Sequence, residues 1–220
     1  MELLVIIFFL SVFVLAPIIG GIALFASIAH RPQFTKSKLA ELKVNEALRK
    51  IDLKSYVVFE NVILPSTGNT AHTEIDHIVV SPYGIFCIET KSHSGSIYAY
   101  EKNKSWVQYL GNQRYTFHNA CRQNYKHIKA IEALVGTILK APVHSFVVFP
   151  NAHKVVTDGK SVYANVNTVV ERIHQHQRPV YNIDECTRIL RSLAYASSKK
   201  ESLSYIHIEE VQSYLANTSS

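Results

Sequence analysis

Residues 74–91 of this chain are EIDHIVVSPYGIFCIETK, which contains two short apolar runs, Ile78–Val80 and Ile85–Ile88. The runs are rich in Val, Ile and Phe, which is typical of β-strands. Between them lies Ser-Pro-Tyr-Gly, with Pro at the second and Gly at the fourth turn position, as in type I turns. The segment therefore predicts a β-hairpin that turns at Pro82 and Tyr83.

Three ionisable residues lie at the outer ends of the two predicted strands. Asp76 precedes the first strand, while Glu89 and Lys91 close the second and share one face because side chains alternate along a strand. The hairpin brings Asp76 back beside Glu89. Two carboxylates and an ammonium group should therefore converge at one end of the sheet. The alternative is a solvated strand end with an ordinary turn residue.

An Asp, a strand–turn–strand and then Glu-Thr-Lys resemble the core of the PD-(D/E)xK nuclease superfamily. The whole segment, with Gly95 and the pair Trp106 and Gln108, resembles the nuclease-related domain (NERD) family over about residues 40–150. The resemblance implies an α/β, restriction-endonuclease-like fold with a mixed central sheet and flanking helices. It also implies hydrolysis of phosphodiester bonds with Mg²⁺ or Mn²⁺ as cofactor, and nucleic acid, with DNA expected, as the partner.

Site residues carry over from the family position by position. Asp76 and Glu89 are the expected catalytic metal ligands, and the backbone carbonyl of Thr90 is the expected third ligand. Lys91 would lie beside the attacking water, where it would orient the water or offset negative charge. Carboxylate oxygens suit a hard divalent cation, and Mg²⁺ keeps several of its own waters.

Two predicted helices supply further candidates. The apolar pattern of residues 39–51 predicts an amphipathic helix, in which Glu46 follows Asn45 where the family has Gly-Glu; Glu46 is either a further metal ligand or a surface charge. A second helical pattern covers residues 119–139, where the family has Asn-Pro-x-x-Gln and then Asn. Gln123 matches that pattern and is a catalytic candidate that would orient a phosphate or the lysine, or else a surface residue. His127 lies one turn further on the same face.

The remaining patterns predict one mixed sheet of about five strands. Residues 151–160 have a loop-like composition, and Trp106 is either a core residue or a base-stacking one. A strand buried on both faces is expected at Val143–Phe149. The other expected elements are a first strand at 56–64, meander strands at 96–100 and 106–110, a short strand and a helix within 161–174, and closing helices at 184–195 and 208–215.

The N-terminal region predicts a membrane anchor. Leu3–Ala29 contains no charged side chain and would form roughly 40 Å of helix, more than the roughly 30 Å of a bilayer core. A signal peptide would have a positive first region and a shorter apolar stretch. Arg31, Lys36 and Lys38 follow the span, so the positive-inside rule places the C-terminal part in the cytoplasm. A buried core helix is the remaining alternative.

The sequence predicts four regions: a transmembrane anchor at 1–30, a linker at 31–38, the NERD-like domain at 39–160 and a packed extension at 161–216. Three distant cysteines without a CxxC pair argue against a disulfide framework and a zinc site. The net charge of +6 suits a polyanion, but anionic lipid headgroups would suit it equally. Several basic residues fall around the predicted Gln123 helix and would border a cleft, namely Arg114, Arg122, Lys126 and Lys129.

The expected function is a membrane-anchored, divalent-metal-dependent nuclease. One alternative is a catalytically inactive, membrane-anchored nucleic-acid-binding or scaffold module on the same fold. Another is a protein that acts only through its charge at the membrane surface. Two of these hypotheses differ in the residues they need. The enzyme needs Asp76, Glu89 and Lys91 together, whereas the surface protein needs none of them.

Overall fold

The computed structural model describes residues 32–52, 54–67 and 71–198. The chain divides into two units, residues 1–38 and 39–220, and the second contains the sheets. The elements are α1 (Pro32–Leu48), β1 (Val57–Pro65), β2 (His72–Ser81), β3 (Gly84–Thr90), β4 (Ser94–Tyr98), β5 (Ser105–Leu110), β6 (Gln113–His118), α2 (Ala120–Val135), a 3-10 turn (Gly136–Ile138), β7 (His144–Val148), β8 (Asn151–Val156), β9 (Val162–Tyr163), α3 (Val166–His174) and α4 (Ile183–Ser198).

The main sheet has five strands in the order β1-β2-β3-β7-β9. The pairs β1–β2 and β2–β3 are antiparallel, whereas β3–β7 and β7–β9 are parallel. The predicted hairpin is present, and Ser81 pairs with Gly84 so that Pro82 and Tyr83 form the turn. The mixed α/β fold of the prediction is therefore confirmed.

Side chains of β2 and β3 alternate between two apolar layers, as the pleat requires. Ile78 and Cys87 belong to a layer that includes residues of α2 and α4. Val79 and Ile88 belong to a second layer, with residues of α1 and α3. The sheet is thus covered by helices on both faces, and the parity of a residue in the hairpin decides which pair of helices it meets.

A second sheet of four strands, in the order β6-β5-β4-β8, was not predicted. The sequence placed residues 96–100 and 106–110 in a single meander with the hairpin, and it placed 151–160 in a loop. Instead the chain leaves the main sheet after Lys91, and β4 pairs in parallel with β8 in the second sheet. The pairing joins segments far apart in the sequence, so no local pattern in Asn151–Val156 could indicate it.

Trp106 is a core residue. Its side chain is fully buried in a cluster that contains Ile97 and Phe149, and its Nε1–H donates to the carbonyl of Tyr100 at 3.0 Å. This cluster fills the space beneath the small sheet. The alternative role of Trp106 as a base-stacking residue is excluded by its burial.

The ends of the described region differ from the predicted boundaries. Helix α1 begins at Pro32, within the segment that was predicted to be a linker. Strand β9 pairs with β7, so residues after 160 complete the main sheet. Within the described residues no helix is long and apolar enough to cross a membrane. The predicted span, Leu3–Ala29, and the predicted helix at 208–215 lie outside the described residues.

Gly95 should tolerate no side chain. Its φ is +76°, and an added Cβ would lie 2.2 Å from the backbone oxygen of Tyr109. Gly111 is a matched control, because its φ is +57° but nothing lies within 4 Å of an added Cβ. We expect Gly95→Ala to lower the free energy of unfolding by at least about 2 kcal/mol more than Gly111→Ala. Urea denaturation measures both, and equal losses would contradict the predicted clash.

Candidate active site

The hairpin register places Asp76, Glu89 and Lys91 on the side of the sheet that faces α2. Strand pairing ends at His77 and Ile88, so Asp76 and Glu89 are the next residues on either strand. Asp76 has the parity of Ile78 in β2, and Glu89 and Lys91 have the parity of Cys87 in β3. Both carboxylates and the ammonium group are therefore at one end of the hairpin, on one face.

Glu89 is the centre of the cluster and is almost fully buried. The Lys91 ammonium lies 2.7 Å from its Oε1, and the Nε2 of His127 lies 3.0 Å from its Oε2. Because a carboxylate can only accept, Nε2 carries the hydrogen in this contact. The Nδ1 of His127 lies 2.7 Å from the Thr73 hydroxyl, which fixes the ring from its other side.

The pKa of Glu89 reflects these partners. Burial by itself would raise it, because desolvation disfavours the charged carboxylate. The hydrogen bond from His127 and the charge of Lys91 outweigh burial, so that the pKa lies below its ordinary value. Glu89 is therefore held as a buried carboxylate, compensated by one cation and one imidazole.

Asp76 has the opposite shift. Burial and, next, the negative charge of Glu89 raise its pKa to about 8, against smaller opposing effects of Thr90 and Lys91. One oxygen, Oδ2, accepts the Thr90 backbone N–H at 2.6 Å, in place of a backbone hydrogen bond between β2 and β3. A buried carboxyl group, Glu89, and a partly buried one, Asp76, thus compete for one patch of positive charge.

Gln123 reaches the same cluster from α2. Its Oε1 accepts from the Lys91 ammonium at 2.8 Å. Helix α2 begins directly after Asn119, whose side chain accepts from the backbone N–H groups of Cys121 and Arg122. This N-cap starts the helix without the proline of the family pattern. The structure therefore places Gln123 beside Lys91, and its catalytic role stays a prediction.

Asn124, which follows Gln123, is fully buried and holds α2 against the sheet. Its Nδ2 lies 3.2 Å from the carbonyl of Cys87 and 2.9 Å from the hydroxyl of Ser145, and its Oδ1 accepts from the Cys87 thiol at 2.9 Å. These contacts tie α2 to β3 and β7. Gln123 and His127 are thereby presented to the end of β3.

Glu46 does not join the cluster. It is exposed and lines a cleft with Lys43 and Lys50, which lie on the same helical face at spacings of three and four residues. The acid of α1 whose charge contributes to the raised pKa of Asp76 is Glu41. The helical phase explains the difference, because Glu41 and the buried Asn45 share a face from which Glu46 is rotated by about 100°.

The predicted basic border is divided between two elements. Arg122 and Lys126 are exposed on α2 beside Gln123. Lys129 lies 2.6 Å from Glu132, so part of its charge is compensated locally. Arg114 lies on β6 in the small sheet, the strand that ends at His118 just before α2 begins at Ala120. The predicted basic residues that α2 exposes on either side of Gln123 are thus Arg122 and Lys126.

His127, the second partner of Glu89, was not predicted from the sequence as a site residue. Its spacing of four residues from Gln123 indicated the shared helical face, but a lone His on a helix gives no sign of what it contacts. Within the described ranges, no group of three or more His, Cys, Asp or Glu side chains is arranged to hold a metal ion. The candidate ligands are two carboxyl groups and the backbone of Thr90.

The family profile described as "Nuclease-related domain" matches residues 36–150, which is just over half of the chain. The chain belongs to the nuclease-related domain family. An uncharacterized protein of Bacillus anthracis is 45% identical over 107 residues, covering 48% of this chain and 49% of the relative. The chain therefore spans about half the length of that curated relative. No solved structure matches this chain significantly.

Several residues of the family pattern support the nuclease-related domain instead of lining its candidate site. Gln108 is buried and donates from Nε2 to the carbonyl of Ser94 at 2.8 Å, which joins β5 to the start of β4. The Nδ2 of Asn119 donates to the carbonyls of Glu101 and Asn103. The two Asn119 bonds connect the loop between β4 and β5 to the start of α2. These residues of the family pattern thus hold β4 and α2, the two elements that flank Lys91, in place.

Proposed function

We propose that this nuclease-related domain is a divalent-metal-dependent nuclease that hydrolyses phosphodiester bonds in DNA and is anchored to a membrane by residues 3–29. The observation that carries the proposal is the convergence of Asp76, Glu89 and Lys91 at one end of the hairpin, with Gln123 bonded to the ammonium group. Family membership supports a nuclease-related role.

The chain's own residues would do three things for this reaction. Glu89 and Gln123 hold the Lys91 ammonium between them, at 2.7 and 2.8 Å, so its position is defined before substrate arrives. That ammonium would stabilise negative charge that develops on the scissile phosphate, an electrostatic effect that is large in a partly buried site. Arg122 and Lys126 would bind neighbouring phosphates.

Mg²⁺ or Mn²⁺ is the proposed cofactor, and the donor set fits it. Mg²⁺ is usually held by one or two carboxylates with several waters, so a pair of acids is sufficient. Burial and then the negative charge of Glu89 raise the pKa of Asp76 to about 8, and a bound cation would favour its charged form. Asp76, Glu89 and the Thr90 carbonyl would hold the ion. When bound, it would supply an activated water and polarise the phosphate.

The test is a cleavage assay of the full chain, purified in nonionic detergent, on labelled single- and double-stranded DNA and RNA. We expect cleavage of DNA with Mg²⁺ or Mn²⁺ and none in EDTA. Binding without cleavage under either metal would overturn the nuclease proposal and favour the inactive nucleic-acid-binding module. No binding of any of these nucleic acids would favour the protein that acts only through its charge at the membrane surface.

The membrane anchor has its own test. Leu3–Ala29 is apolar throughout and is followed by Arg31, Lys36 and Lys38, so we propose a single span with the C-terminus in the cytoplasm. A reporter fused after Ser220 should be active if it is of a type that works in the cytoplasm. Activity of an alkaline-phosphatase-type reporter, which works only outside the cytoplasm, would contradict the proposed orientation.

A further inference from the structure

The outer face of the small sheet carries an ordered set of aromatic and basic side chains. Residues paired across neighbouring strands point to the same face, so the register defines rows. Each row takes one residue from β6, β5, β4 and β8 in turn. The rows are Arg114–Tyr109–Ser96–Lys154 and Thr116–Val107–Tyr98–Val156.

Burial confirms which face is open. On the inner strands β4 and β5 the opposite parity contains Ile97, Trp106 and Gln108, all buried against the core, whereas on the edge strand β6 the opposite-parity Tyr115 is 45% exposed. Tyr109 is 39% exposed, and Arg114 and Lys154 are exposed as well. The rows described above therefore form a solvent-facing surface, which we call the tyrosine face.

The charge of the tyrosine face has one sign. None of the four strands contains an aspartate or a glutamate. Arg114 and Lys154 lie at opposite ends of one row, separated by three strand spacings or about 14 Å. Between them is Tyr109, whose ring lies 5.6 Å from that of Tyr98, edge to face. Aromatic rings that lie between two cations suit a nucleic-acid strand, because the rings can stack on bases and the cations can contact phosphates.

We propose that the tyrosine face binds single-stranded nucleic acid. Surfaces that bind single strands combine basic side chains that contact the backbone with aromatic rings on which bases stack. Tyr109 would stack on an unpaired base, and Arg114 and Lys154 would contact the phosphates on either side. In a duplex the base faces are covered by their neighbours, so the tyrosines would contribute nothing to its binding.

The face is close in the chain to the candidate active site. Strand β4 begins three residues after Lys91, and the Asn151 side chain at the start of β8 donates to the carbonyl of Ser92. A single-stranded nucleic acid bound to the tyrosine face could thus extend to Lys91. This link to cleavage rests on the proposed function, whereas binding by the face does not.

The test measures binding in EDTA, so that cleavage plays no part. Full-length protein in nonionic detergent is titrated into labelled oligo-dT and into a duplex, with fluorescence anisotropy as the readout. Tyr109→Ala should weaken oligo-dT binding roughly tenfold, while Tyr109→Phe, which keeps the ring, should bind like wild type. The matched control is Tyr195→Ala, since Tyr195 is exposed on α4 and should not affect binding.

The two cations have a separate signature. Arg114→Gln and Lys154→Gln should each reduce the slope of log K against log salt concentration by about 0.7, the value for one phosphate contact on a single strand. Arg191→Gln, which removes an exposed charge from α4, should leave the slope unchanged. Far-ultraviolet circular dichroism and thermal unfolding of each variant establish that it is folded.

Three results would overturn the proposal. The first is equal oligo-dT binding by folded Tyr109→Ala and Tyr195→Ala. The second is duplex binding as tight as oligo-dT binding and equally reduced by Tyr109→Ala. The third is a salt slope for both Arg114→Gln and Lys154→Gln equal to that of wild type, which would show that neither cation contacts a phosphate. Binding as expected with no cleavage under Mg²⁺ or Mn²⁺ would leave this inference standing and remove the nuclease proposal.

Discussion

Asp76→Asn should reduce metal-dependent cleavage by about 100-fold or more while leaving the protein folded. The substitution keeps the shape of the side chain and an oxygen that can accept the Thr90 N–H, but it removes one of two carboxylate charges. A lost ligand charge weakens metal binding and transition-state stabilisation together. Single-turnover cleavage over a range of Mg²⁺ concentrations measures the effect. The control is Asp184→Asn, the same change at an exposed position on α4.

The same variant should be more stable than wild type in EDTA at alkaline pH. The pKa of Asp76 is about 8 in the folded protein, against about 4 in an unfolded chain. The folded state therefore binds the proton more tightly, and the stability of wild type falls as the pH rises from about 4 to 8. Asparagine does not titrate. A difference of about four pKa units corresponds to about 5 kcal/mol. We therefore expect Asp76→Asn to gain about 5 kcal/mol near pH 8.5 and almost nothing near pH 4.

Urea denaturation at several pH values separates this expectation from general effects of the substitution. Asp184→Asn should show no gain at any pH, because its carboxyl group is exposed. A gain for Asp76→Asn that did not grow with pH would contradict the raised pKa. Equal cleavage by Asp76→Asn and wild type would instead remove Asp76 from the mechanism, whatever its stability.

Lys91→Ala should lower the single-turnover rate about 100-fold with little change in DNA affinity. The ammonium group is held by Glu89 and Gln123 at the candidate site, and its charge matters most when negative charge develops on the phosphate. The variant also removes the cation partner of a buried carboxylate, so some loss of stability is expected. Thermal unfolding should establish the temperature range in which the variant is folded before its rate is compared.

Lys126→Ala is the matched comparison, because Lys126 is an exposed lysine on the neighbouring helix. It should weaken DNA binding and reduce its salt dependence, with the rate of the bound complex unchanged. The two lysines thus separate a contribution to chemistry from a contribution to affinity. A Lys91→Ala variant that lost affinity and kept its rate would show that Lys91 only binds phosphate.

Much of the central architecture was predictable because it depends on local patterns. The apolar runs around Pro82 and Tyr83 specify two strands and the turn between them, and the period of two specifies which residues share a face. Once the hairpin was predicted, Asp76, Glu89 and Lys91 had to lie near one another. Gln123 could be added because its position matched a family pattern on a well-defined helix.

Glu46 shows where such reasoning stops. Its position matched the family pattern by count, but a helix has several faces, and the one that meets the sheet depends on how α1 packs. Tertiary packing placed Glu41 near Asp76 and Glu46 in a separate cleft. His127 illustrates the same limit, since only the packing of α2 on β3 brings it to Glu89.

The amino-acid sequence by itself determined the hairpin, the alternation of its side chains and the meeting of two acids with a lysine, since all of these follow from contacts between residues close in the chain. Only the tertiary structure decided that β4 would leave the main sheet, pair with the distant β8 and present the tyrosine face to solvent. Strand pairing between remote segments depends on backbone hydrogen bonds that any residue except proline can make. Side-chain patterns therefore carry little information about it.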